Sequence, residues 1–467
     1  MGRTRPRRCG CSTGRLRTGD LGLRQRAPTA LCETALGRDL AGAAQEPRRQ
    51  DLAPDCQGAR DRTVARYLLM TGLTGRPAYV VDVVRTPFGK GRPGGALADA
   101  HPVDLLATLL NQLSTRNGLD PTLVDDHIAG CVQQVGEQAG NVARHAVLAA
   151  GWPATVPGVT LDRKCGSFQQ ALHFAAQAIA SGSMDIIAVG GVEMMSRIPM
   201  RLNRLDRDEL GPMFATNFPD GLVRQGISAE LIAARWNLDR QRLDAYSARS
   251  HQRAAWTRDQ GLLADTVIPI DVSGQQVTTD EGIRDTTTPD VLAGLKVSFE
   301  NPELSERFPE IGWVVTAGNS SQITDGAAAA LVMSEEAMQR IGAKPRARVI
   351  GMSAVGDDPI MMLTGVIPAT RKVLDQTGLS LDDIDVSEVN EAFAPVVLAW
   401  RDEFDVDETR INPWGGAIAV GHPAGASGGR LLGNLLGYLD HTGGRYGLLT
   451  MCESGGMANA TILERVT

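Results

Sequence analysis

The sequence predicts an α/β fold, in which helices and strands pack in layers around a largely parallel sheet. Two observations lead to this prediction. Along most of the 467 residues, apolar runs of strand length alternate with helical stretches, which is typical of α/β proteins. Segments near the two ends of this region also resemble each other, which suggests two similar halves packed together.

The predicted strands are short apolar runs bounded by turn residues. They cover residues 80–84, 185–189, 347–352, 386–389 and 447–451. The predicted helices that lie between them include residues 168–181 and 427–439.

The internal resemblance rests on two pairs of segments. Residues 123–130 and 381–388 both place an acidic turn before a short strand. The strand at 185–189 is followed by two glycines, and the strand at 447–451 is followed by Cys452. Both pairs occur in the same order, so we interpret them as equivalent parts of two halves.

This comparison suggests how the chain is divided. We expect a first half at residues 77–195, completed by about 320–345, and a second half at residues 346–467. Residues 196–319 are more polar and irregular than either half. We expect them to form an inserted loop domain that grips a large ligand.

The N-terminal stretch differs in composition from the rest of the chain. Residues 1–69 contain 14 Arg, no Lys and seven acidic residues without a sustained apolar period. They are expected to be a disordered or non-native extension, with Met70 as the true start. The stretch has a net charge of +7 and the whole chain −7, so the remainder carries −14. This acidic remainder gives no reason to expect nucleic-acid binding.

The cysteine content and the hydropathy favour a reducing compartment and no insertion into a membrane. Of seven cysteines, only Cys131, Cys165 and Cys452 lie outside residues 1–69, too few for a disulfide framework. Free thiols favour a reducing compartment, and we expect the protein to be cytoplasmic. No apolar run approaches the roughly 20 residues that span a bilayer, so no membrane insertion is expected. No metal is expected either, because the sequence has no paired His/Cys cluster.

Cys165 is the first candidate for chemistry. It stands where a predicted strand turns into the helix at 168–181, so its thiol is expected near a helix N-terminus. There the helix dipole, together with Arg163 and Lys164, would stabilise a thiolate. The alternative for a single cysteine is a buried, inert thiol.

Three further candidates occur at similar junctions of strand and turn. His422 lies in a glycine-rich run at 415–429 and could act as a general base. Cys452 follows a predicted strand and could exchange a proton. Asn390 ends another strand and could hold a water molecule without titrating. Each alone could be structural, but together they favour a catalytic site.

Several segments carry a family resemblance. They are residues 84–89 (Val-Arg-Thr-Pro-Phe-Gly), 165–167 (Cys-Gly-Ser), 190–196 (Gly-Gly-Val-Glu-Met-Met-Ser), 316–321 (Thr-Ala-Gly-Asn-Ser-Ser), 325–328 (Asp-Gly-Ala-Ala), 389–394 (Val-Asn-Glu-Ala-Phe-Ala) and 421–423 (Gly-His-Pro). From about Ala78 to its C-terminus the chain resembles the thiolases, which are acetyl-CoA acyltransferases. The resemblance implies a thiolase-like five-layer αβαβα core built from two similar halves plus a loop domain.

The resemblance also implies catalytic roles. Cys165 would be the nucleophile that becomes acylated, and His422 would be the base that activates it. Cys452 would exchange the proton at the methyl carbon of acetyl-CoA. Asn390, through a water molecule, would join His422 in an oxyanion hole for the enolate.

Further roles follow from the same resemblance. The backbone N–H groups of Cys165 and Ser454 would form a second oxyanion hole. Ser321 and Arg284 align with positions that contact coenzyme A, which would be a co-substrate rather than a permanently bound cofactor. The partners implied are acyl-CoA substrates and a second or further copies of the chain, in a homodimer or homotetramer.

The segment after Cys452 departs from the family pattern. Thiolases often carry Cys-x-Gly-Gly-Gly-Met-Gly, whereas this chain has Glu453 and Ser454 in the second and third positions. Glu453 places a charge beside the proton-exchanging thiol. Ser454 can present its N–H provided that the turn does not require a positive φ there.

Two other departures concern the substrate. Gln322 replaces a usual glycine, and Arg224-Gln225 replace the His-Met pair found in acetoacetyl-specific relatives. These changes favour a degradative enzyme for larger 3-ketoacyl groups over a biosynthetic acetoacetyl-CoA thiolase. A ketoacyl synthase would lack a second cysteine at position 452. A non-catalytic, thiolase-like lipid-binding protein would have lost some of the catalytic residues.

Overall fold

Strands from both parts of the chain join into one large sheet. The computed structural model describes residues 75–466, so the expected extension at 1–69 and its boundary at Met70 lie outside the described residues. The strands of the sheet are β1 (Ala78–Arg85), β2 (Gly89–Lys90), β3 (Asp126–Gly130), β4 (Gly158–Leu161), β5 (Ile186–Met194), β8 (Thr324–Ser334), β9 (Ala347–Gly356), β10 (Val386–Val389), β11 (Tyr446–Glu453) and β12 (Met457–Arg465). A separate hairpin is formed by β6 (Ile270–Val272) and β7 (Gln275–Val277). All five strands predicted from the sequence are among them.

The strand order shows a repeat. The sheet runs β10-β11-β12-β9-β1-β8-β5-β3-β4, with β2 beside β8. Strands from the first part of the chain are ordered β4-β3-β5-β8-β1, and strands from the second part are ordered β10-β11-β12-β9. The strand that comes first in the sequence of each part, β1 or β9, therefore lies at the boundary between the two parts. There β1 and β9 pair antiparallel, with Tyr79 opposite Arg348 and Val80 opposite Ala347.

The sheet is mixed, and the prediction of a largely parallel sheet is wrong. Among the described strands, only the pairs β3–β4, β3–β5 and β10–β11 are parallel. The β11–β12 pair has to be antiparallel because the turn that joins Glu453 to Met457 is too short for a crossover. β8 and β12 each run against both of their long neighbours.

The helices complete the layers. They are α1 (Pro102–Asn117), α2 (Val142–Ala149), α3 (Ser167–Ala180), α4 (Pro212–Asn217), α5 (Gln225–Arg235), α6 (Arg240–Asp259), α7 (Pro289–Ala293), α8 (Pro302–Arg307), α9 (Glu335–Ile341), α10 (Val366–Thr377), α11 (Ala394–Phe404), α12 (Ala417–Val420) and α13 (Ser427–Thr442). None of these described helices is both long and apolar enough to cross a membrane.

Three hydrophobic clusters separate the layers. The central cluster packs α3 and α13 between the two parts of the sheet, which explains why both helices are buried on nearly all sides. A second cluster packs α1 and α2 against the outer face of the first part, and a third packs α10 and α11 against the second. The order helix, sheet, helix, sheet, helix is the predicted five-layer αβαβα core.

Equivalent elements of the two parts follow at equal intervals along the chain. In the first part α3 begins at Ser167 and β5 at Ile186, and in the second α13 begins at Ser427 and β11 at Tyr446. The turn before each strand also has the same hydrogen bonds. Asp125 accepts from the N–H of Ile186 and of the residue before it, and in the second part Asp385 does the same at Tyr446.

The segment between β5 and β8 is more regular than its polarity suggests. Residues 196–319 contain α5, which packs on α11, and the 20-residue α6. Much of the buried side of α6 is polar. Its Tyr246 and Ser250 donate hydrogen bonds to buried Glu391, so the low hydropathy of this helix reflects polar partners rather than irregular structure.

Candidate active site

Cys165 lies in the sharp connection between β4 and α3. Lys164 has a φ of 48°, a left-handed conformation that turns the chain abruptly. Gly166 is the N-cap residue of α3, so Cys165 stands just before the helix, as predicted. The side chain is 7% exposed and lines a cavity.

The Cys165 thiol is protonated at neutral pH. Burial, followed by the charge of Glu453, raises the pKa of Cys165 to about 12, although a hydrogen bond from the Gln225 side chain lowers it. Lys164 binds Asp162 at 2.7 Å instead of supporting the thiol. Burial therefore opposes the expected resting thiolate, because desolvation disfavours the charged form of the thiol.

The backbone holds His422 in place from β8. Its N–H donates to the carbonyl of Gln322 at 3.2 Å and lies 3.1 Å from Oγ1 of Thr324. The preceding Gly421 has a φ of 107°, and a Cβ there would lie 2.2 Å from Thr324 Oγ1. Only glycine fits at this close approach.

The hydrogen bonds of His422 fix its tautomer. The Ser427 hydroxyl donates to the carbonyl of Pro423 at 2.8 Å and lies 2.5 Å from His422 Nδ1. Because that hydroxyl has one hydrogen, Nδ1 carries the imidazole proton and donates to Ser427. Nε2 then has a lone pair and no partner among the described residues. Burial, followed by the charge of Arg430, lowers the pKa of His422 to about 3, so the ring is neutral.

Four predicted residues line one cavity of about 500 Å³: Cys165, His422, Ser454 and Ser321. Arg284 lines an adjoining cavity of about 430 Å³, together with Lys90 and Arg92. The two cavities share Ser320, Ser321, Gln322 and Ile323. Cys165 and the predicted coenzyme A contacts therefore line one extended cleft.

Cys452 is buried and is not among the residues that line the two cavities. It is near the end of β11 and has no exposed surface. Its pKa is raised well above the usual range by burial, then by the negative charge that Cys165 and Glu453 can carry.

Asn390 is also fully buried and is not among the residues that line the two cavities. Its N–H donates to the carbonyl of Thr450 on β11 at 3.0 Å. Within residues 75–466, neither Oδ1 nor Nδ2 of its side chain has a hydrogen-bond partner. Since buried amides are normally satisfied, this carboxamide is suited to hold a water molecule.

The turn from β11 to β12 does not require a positive φ at Ser454, which was the condition for its N–H to serve in an oxyanion hole. Positive φ angles fall on Gly455, at 90°, and Gly456, at 75°, and Ser454 is not among the described non-glycine residues with positive φ. Its N–H and that of Cys165 donate to no other group of the described chain. Two backbone donors are thus free at the cavity that contains the thiol.

Family models match nearly all of the described chain. The thiolase N-terminal domain matches residues 78–336, and the thiolase C-terminal domain matches residues 343–465. This chain belongs to the thiolase family. The family confirms the predicted enzyme class, an acyltransferase, and decides against the ketoacyl synthase alternative.

Two related proteins and one solved structure that match this chain are also thiolases by name. Steroid 3-ketoacyl-CoA thiolase FadA6 of Mycobacterium tuberculosis is 48% identical over 397 residues, covering 83% of this chain and 94% of that protein. The 3-oxoadipyl-CoA/3-oxo-5,6-dehydrosuberyl-CoA thiolase of Escherichia coli is 40% identical over 412 residues, covering 84% and 100%. The crystal structure of human mitochondrial 3-ketoacyl-CoA thiolase in complex with CoA has a TM-score of 0.74 at 34% identity, covering 84% and 98%.

One buried glutamate, Glu193, was not identified from the sequence, although its equivalent, Glu453, was noted there beside Cys452. Glu193 of this thiolase lies near the end of β5, at the position that corresponds to Glu453 in β11. It accepts hydrogen bonds from the N–H groups of Val132, at 3.0 Å, and Gln133, at 3.1 Å. Gln138 and the N–H of Gly425 donate to it as well, so its carboxylate is fully satisfied.

Glu453 occupies the same place in the second part of the chain, but its carboxyl is unsatisfied. Its carboxyl packs against Gly166, where a Cβ would lie 2.0 Å from Oε1, and neither oxygen has a partner among the described residues. Burial raises the pKa of Glu453 to about 8. The counterpart of Gly425, which Glu193 binds, is Cys165, whose N–H thereby remains available.

Glu391 is a second residue that was missed. Its carboxylate accepts from the hydroxyl groups of Tyr246 and Ser250, both at 2.7 Å. It also accepts from the N–H of Ile418 in α12 at 3.0 Å. Glu391 therefore ties the loop of Asn390 to the loop that precedes His422. No group of His, Cys, Asp and Glu among the described residues is arranged to hold a metal ion.

Proposed function

We propose that this thiolase cleaves 3-ketoacyl-CoA with coenzyme A, giving acetyl-CoA and a shortened acyl-CoA. The observation that carries the proposal is a neutral His422, with a free Nε2, in the same cavity as the Cys165 thiol. The names of the relatives, among them steroid 3-ketoacyl-CoA thiolase, support the degradative direction.

The first half-reaction forms the acyl-enzyme. His422 Nε2 takes the proton from Cys165, and the sulfur attacks the ketone carbon C3, whose oxygen is stabilised by the free N–H groups of Cys165 and Ser454. The C2–C3 bond breaks, and its electron pair leaves as the enolate of acetyl-CoA. Protonated His422 and a water molecule on Asn390 bind the enolate oxygen. Cys452 then gives its proton to C2.

The second half-reaction releases the shortened product. The Cys452 thiolate takes the proton of incoming coenzyme A, whose sulfur attacks the thioester carbon. The tetrahedral oxyanion again accepts from the N–H groups of Cys165 and Ser454. When the intermediate collapses, the sulfur of Cys165 leaves and regains its proton from His422. Each catalytic group has then regained its starting protonation state, and the thiol proton of coenzyme A has replaced the proton that Cys452 gave to C2.

Coenzyme A would occupy the adjoining cavity as a co-substrate. Arg284, Lys90 and Arg92 line it, and their positive charges suit the phosphates of the nucleotide end. Ser321 lies where this cavity meets that of the nucleophile. We also propose a cytoplasmic homodimer or homotetramer without a permanently bound cofactor.

A thiolysis assay of the purified protein tests the proposal. It should cleave 3-ketoacyl-CoAs of six or more carbons faster than acetoacetyl-CoA, because Arg224 and Gln225 replace the His-Met pair of acetoacetyl-specific relatives. Mass spectrometry should find the acyl group on Cys165, and Cys165→Ser should abolish acylation, since an alkoxide forms far less readily than a thiolate. Binding of acyl-CoA without turnover would instead support the non-catalytic alternative, and preference for acetoacetyl-CoA the biosynthetic one.

A further inference from the structure

The cavity of the nucleophile contains arginines that the mechanism does not use. Arg201, Arg204 and Arg224 all line it. Arg204 pairs with Glu209, but Arg201 and Arg224 have no acidic partner within 4.0 Å among residues 75–466. Both are exposed to solvent, so their guanidinium groups are accessible from the cavity.

These arginines are separate from the positive charge of the adjoining cavity. Lys90, Arg92 and Arg284 line only that cavity, whereas Arg201 and Arg224 line only the cavity with Cys165. Coenzyme A has all of its phosphates at its nucleotide end, so one basic cluster accounts for them. A second basic cluster beside Cys165 is suited to bind another anionic group in the substrate.

The position of Arg224 links this cluster to the acyl group. Arg224 is the N-cap residue of α5, and the next residue, Gln225, lines the same cavity as the Cys165 thiol. Because the acyl chain is attached to that sulfur, Arg224 lies close to where the chain must extend. Arg201 has a φ of 73°, an uncommon conformation outside glycine that is typically retained at functional sites.

Other residues that line the cavity of Cys165 can pack against the carbon atoms of an acyl chain. Large apolar side chains line the same cavity: Met195, Val223, Phe299, Ile323 and Phe393. An acyl chain can therefore lie against apolar groups while its far end reaches a guanidinium. Arginine binds a carboxylate through two parallel hydrogen bonds, which is the geometry that such an end offers.

We propose that the site selects 3-ketoacyl-CoAs whose acyl chain ends in a carboxylate, and that Arg201 and Arg224 bind this carboxylate. The inference rests on the thiolase function proposed above. It assigns these two arginines to substrate specificity and not to bond cleavage.

A pair of substrates of equal length tests the proposal. 3-Oxoadipyl-CoA ends in a carboxylate and 3-oxohexanoyl-CoA in a methyl group, and both have six carbons in the acyl chain. The full-length enzyme should have a kcat/KM roughly 10- to 100-fold higher for the first, as expected for a charged hydrogen bond. Arg224→Met and Arg201→Met should each lower this ratio roughly tenfold, and Arg224→Lys should lower it less. Arg207→Met, an exposed position outside the cavity, should leave the ratio unchanged.

The outcomes separate this inference from the function on which it rests. Equal kcat/KM for both substrates in the parent enzyme would overturn the carboxylate selectivity and leave the thiolase function intact. An equal loss for both substrates in Arg224→Met, with a higher KM for coenzyme A, would also overturn it, because the arginine would then bind the nucleotide. Cleavage of neither substrate, nor of any other 3-ketoacyl-CoA, would reject the thiolase function itself.

Discussion

At the scale of single residues, the resting site contains uncharged catalytic groups. Burial raises the pKa of Cys165 to about 12 and lowers the pKa of His422 to about 3. At neutral pH the pair is therefore a thiol and a neutral imidazole, and the proton moves only when substrate is attacked. Such a site protects its nucleophile from oxidation and alkylation between turnovers.

The first prediction concerns the reactivity of Cys165. Iodoacetamide should alkylate the free enzyme slowly at pH 7, and the rate should rise about tenfold per pH unit up to pH 8, because the reactive thiolate is a minor form. Peptide mass spectrometry identifies the labelled cysteine. A rate that reaches a plateau below pH 7 would show that a thiolate is already present.

Glu453→Gln provides the matched variant for this measurement. Below pH 7 the Glu453 carboxyl is neutral, so parent and variant should react at similar rates. Above its pKa of about 8, the parent acquires a charge that holds the proton on Cys165. The variant should then react roughly three to ten times faster, since a neighbouring charge shifts a pKa by about one unit.

The second prediction concerns stability at the same residue. A carboxyl whose pKa is raised by folding binds its proton more tightly in the folded state, so its ionisation destabilises the folded protein. Groups facing Glu453 are Arg163, Asp162 and the two catalytic thiols. Between pH 5 and pH 8.5 the parent should lose thermal stability relative to Glu453→Gln, measured as Tm. A Tm difference that does not change with pH would contradict the raised pKa.

Sequence motifs indicate which residues share a site better than they indicate the protonation states of those residues. Cys165 and His422, which line one cavity, could be selected as candidates because each stands in a short, small-residue motif at a junction of strand and turn. The protonation state of the Cys165 thiol could not be predicted, because it depends on Glu453, which approaches from a strand in the other part of the chain. The unpaired Glu453 becomes visible only beside its satisfied counterpart, Glu193.

At the scale of elements, a strand that is buried on both faces is difficult to predict from the sequence. β8 is buried along all 11 residues and is rich in alanine, so it lacks the alternation of a half-exposed strand. The helix α6 was difficult to predict for the opposite reason, because many of the side chains on its buried face are polar. β10 was predicted with its observed bounds, since an acidic turn marks its start.

The third prediction tests how β8 positions the base. Gly421→Ala would place a Cβ 2.2 Å from Thr324 Oγ1 at a φ of 107°, so the loop has to move and carry His422 with it. Thiolysis should fall by about 10²-fold or more, as when a general base is misplaced. The expected loss is in kcat, measured with saturating coenzyme A.

Gly443→Ala is the control for this substitution. Gly443 also has a positive φ, 75°, but it follows α13, and a Cβ added there would meet no atom within 4 Å. The substitution should cost about 1 kcal/mol of stability from backbone strain while activity remains near that of the parent. Similar activity losses in both variants would mean that strain alone, and not the displacement of His422, explains the effect.

At the scale of the whole molecule, the candidate catalytic residues come from both parts of the chain. Cys165 comes from the first, whereas Asn390, His422 and Cys452 come from the second. The two parts also cover each other's sheet edges through the pairing of β1 with β9. An uncovered edge offers unpaired N–H and C=O groups to other chains.

The fourth prediction follows from this pairing. Residues 75–345 and 346–466, expressed separately, should each be insoluble or associate, because β1 and β9 lose their partners and the central helices lose half of their packing. Co-expression should restore soluble protein and thiolysis. Solubility and size-exclusion chromatography measure the outcome, and a soluble, monomeric first part would contradict the prediction.

The equal spacing of equivalent elements has a consequence for the symmetry of the molecule. Antiparallel pairing of equivalent strands, β1 with β9, is the arrangement found across the two-fold axis of a symmetric dimer. The chain has the layout of two similar subunits joined end to end. Of the two equivalent positions, 165 is a cysteine that lines a cavity, whereas 425 is a glycine whose N–H donates to Glu193. The repeat is therefore symmetric in its elements but not in the residues that could carry out chemistry.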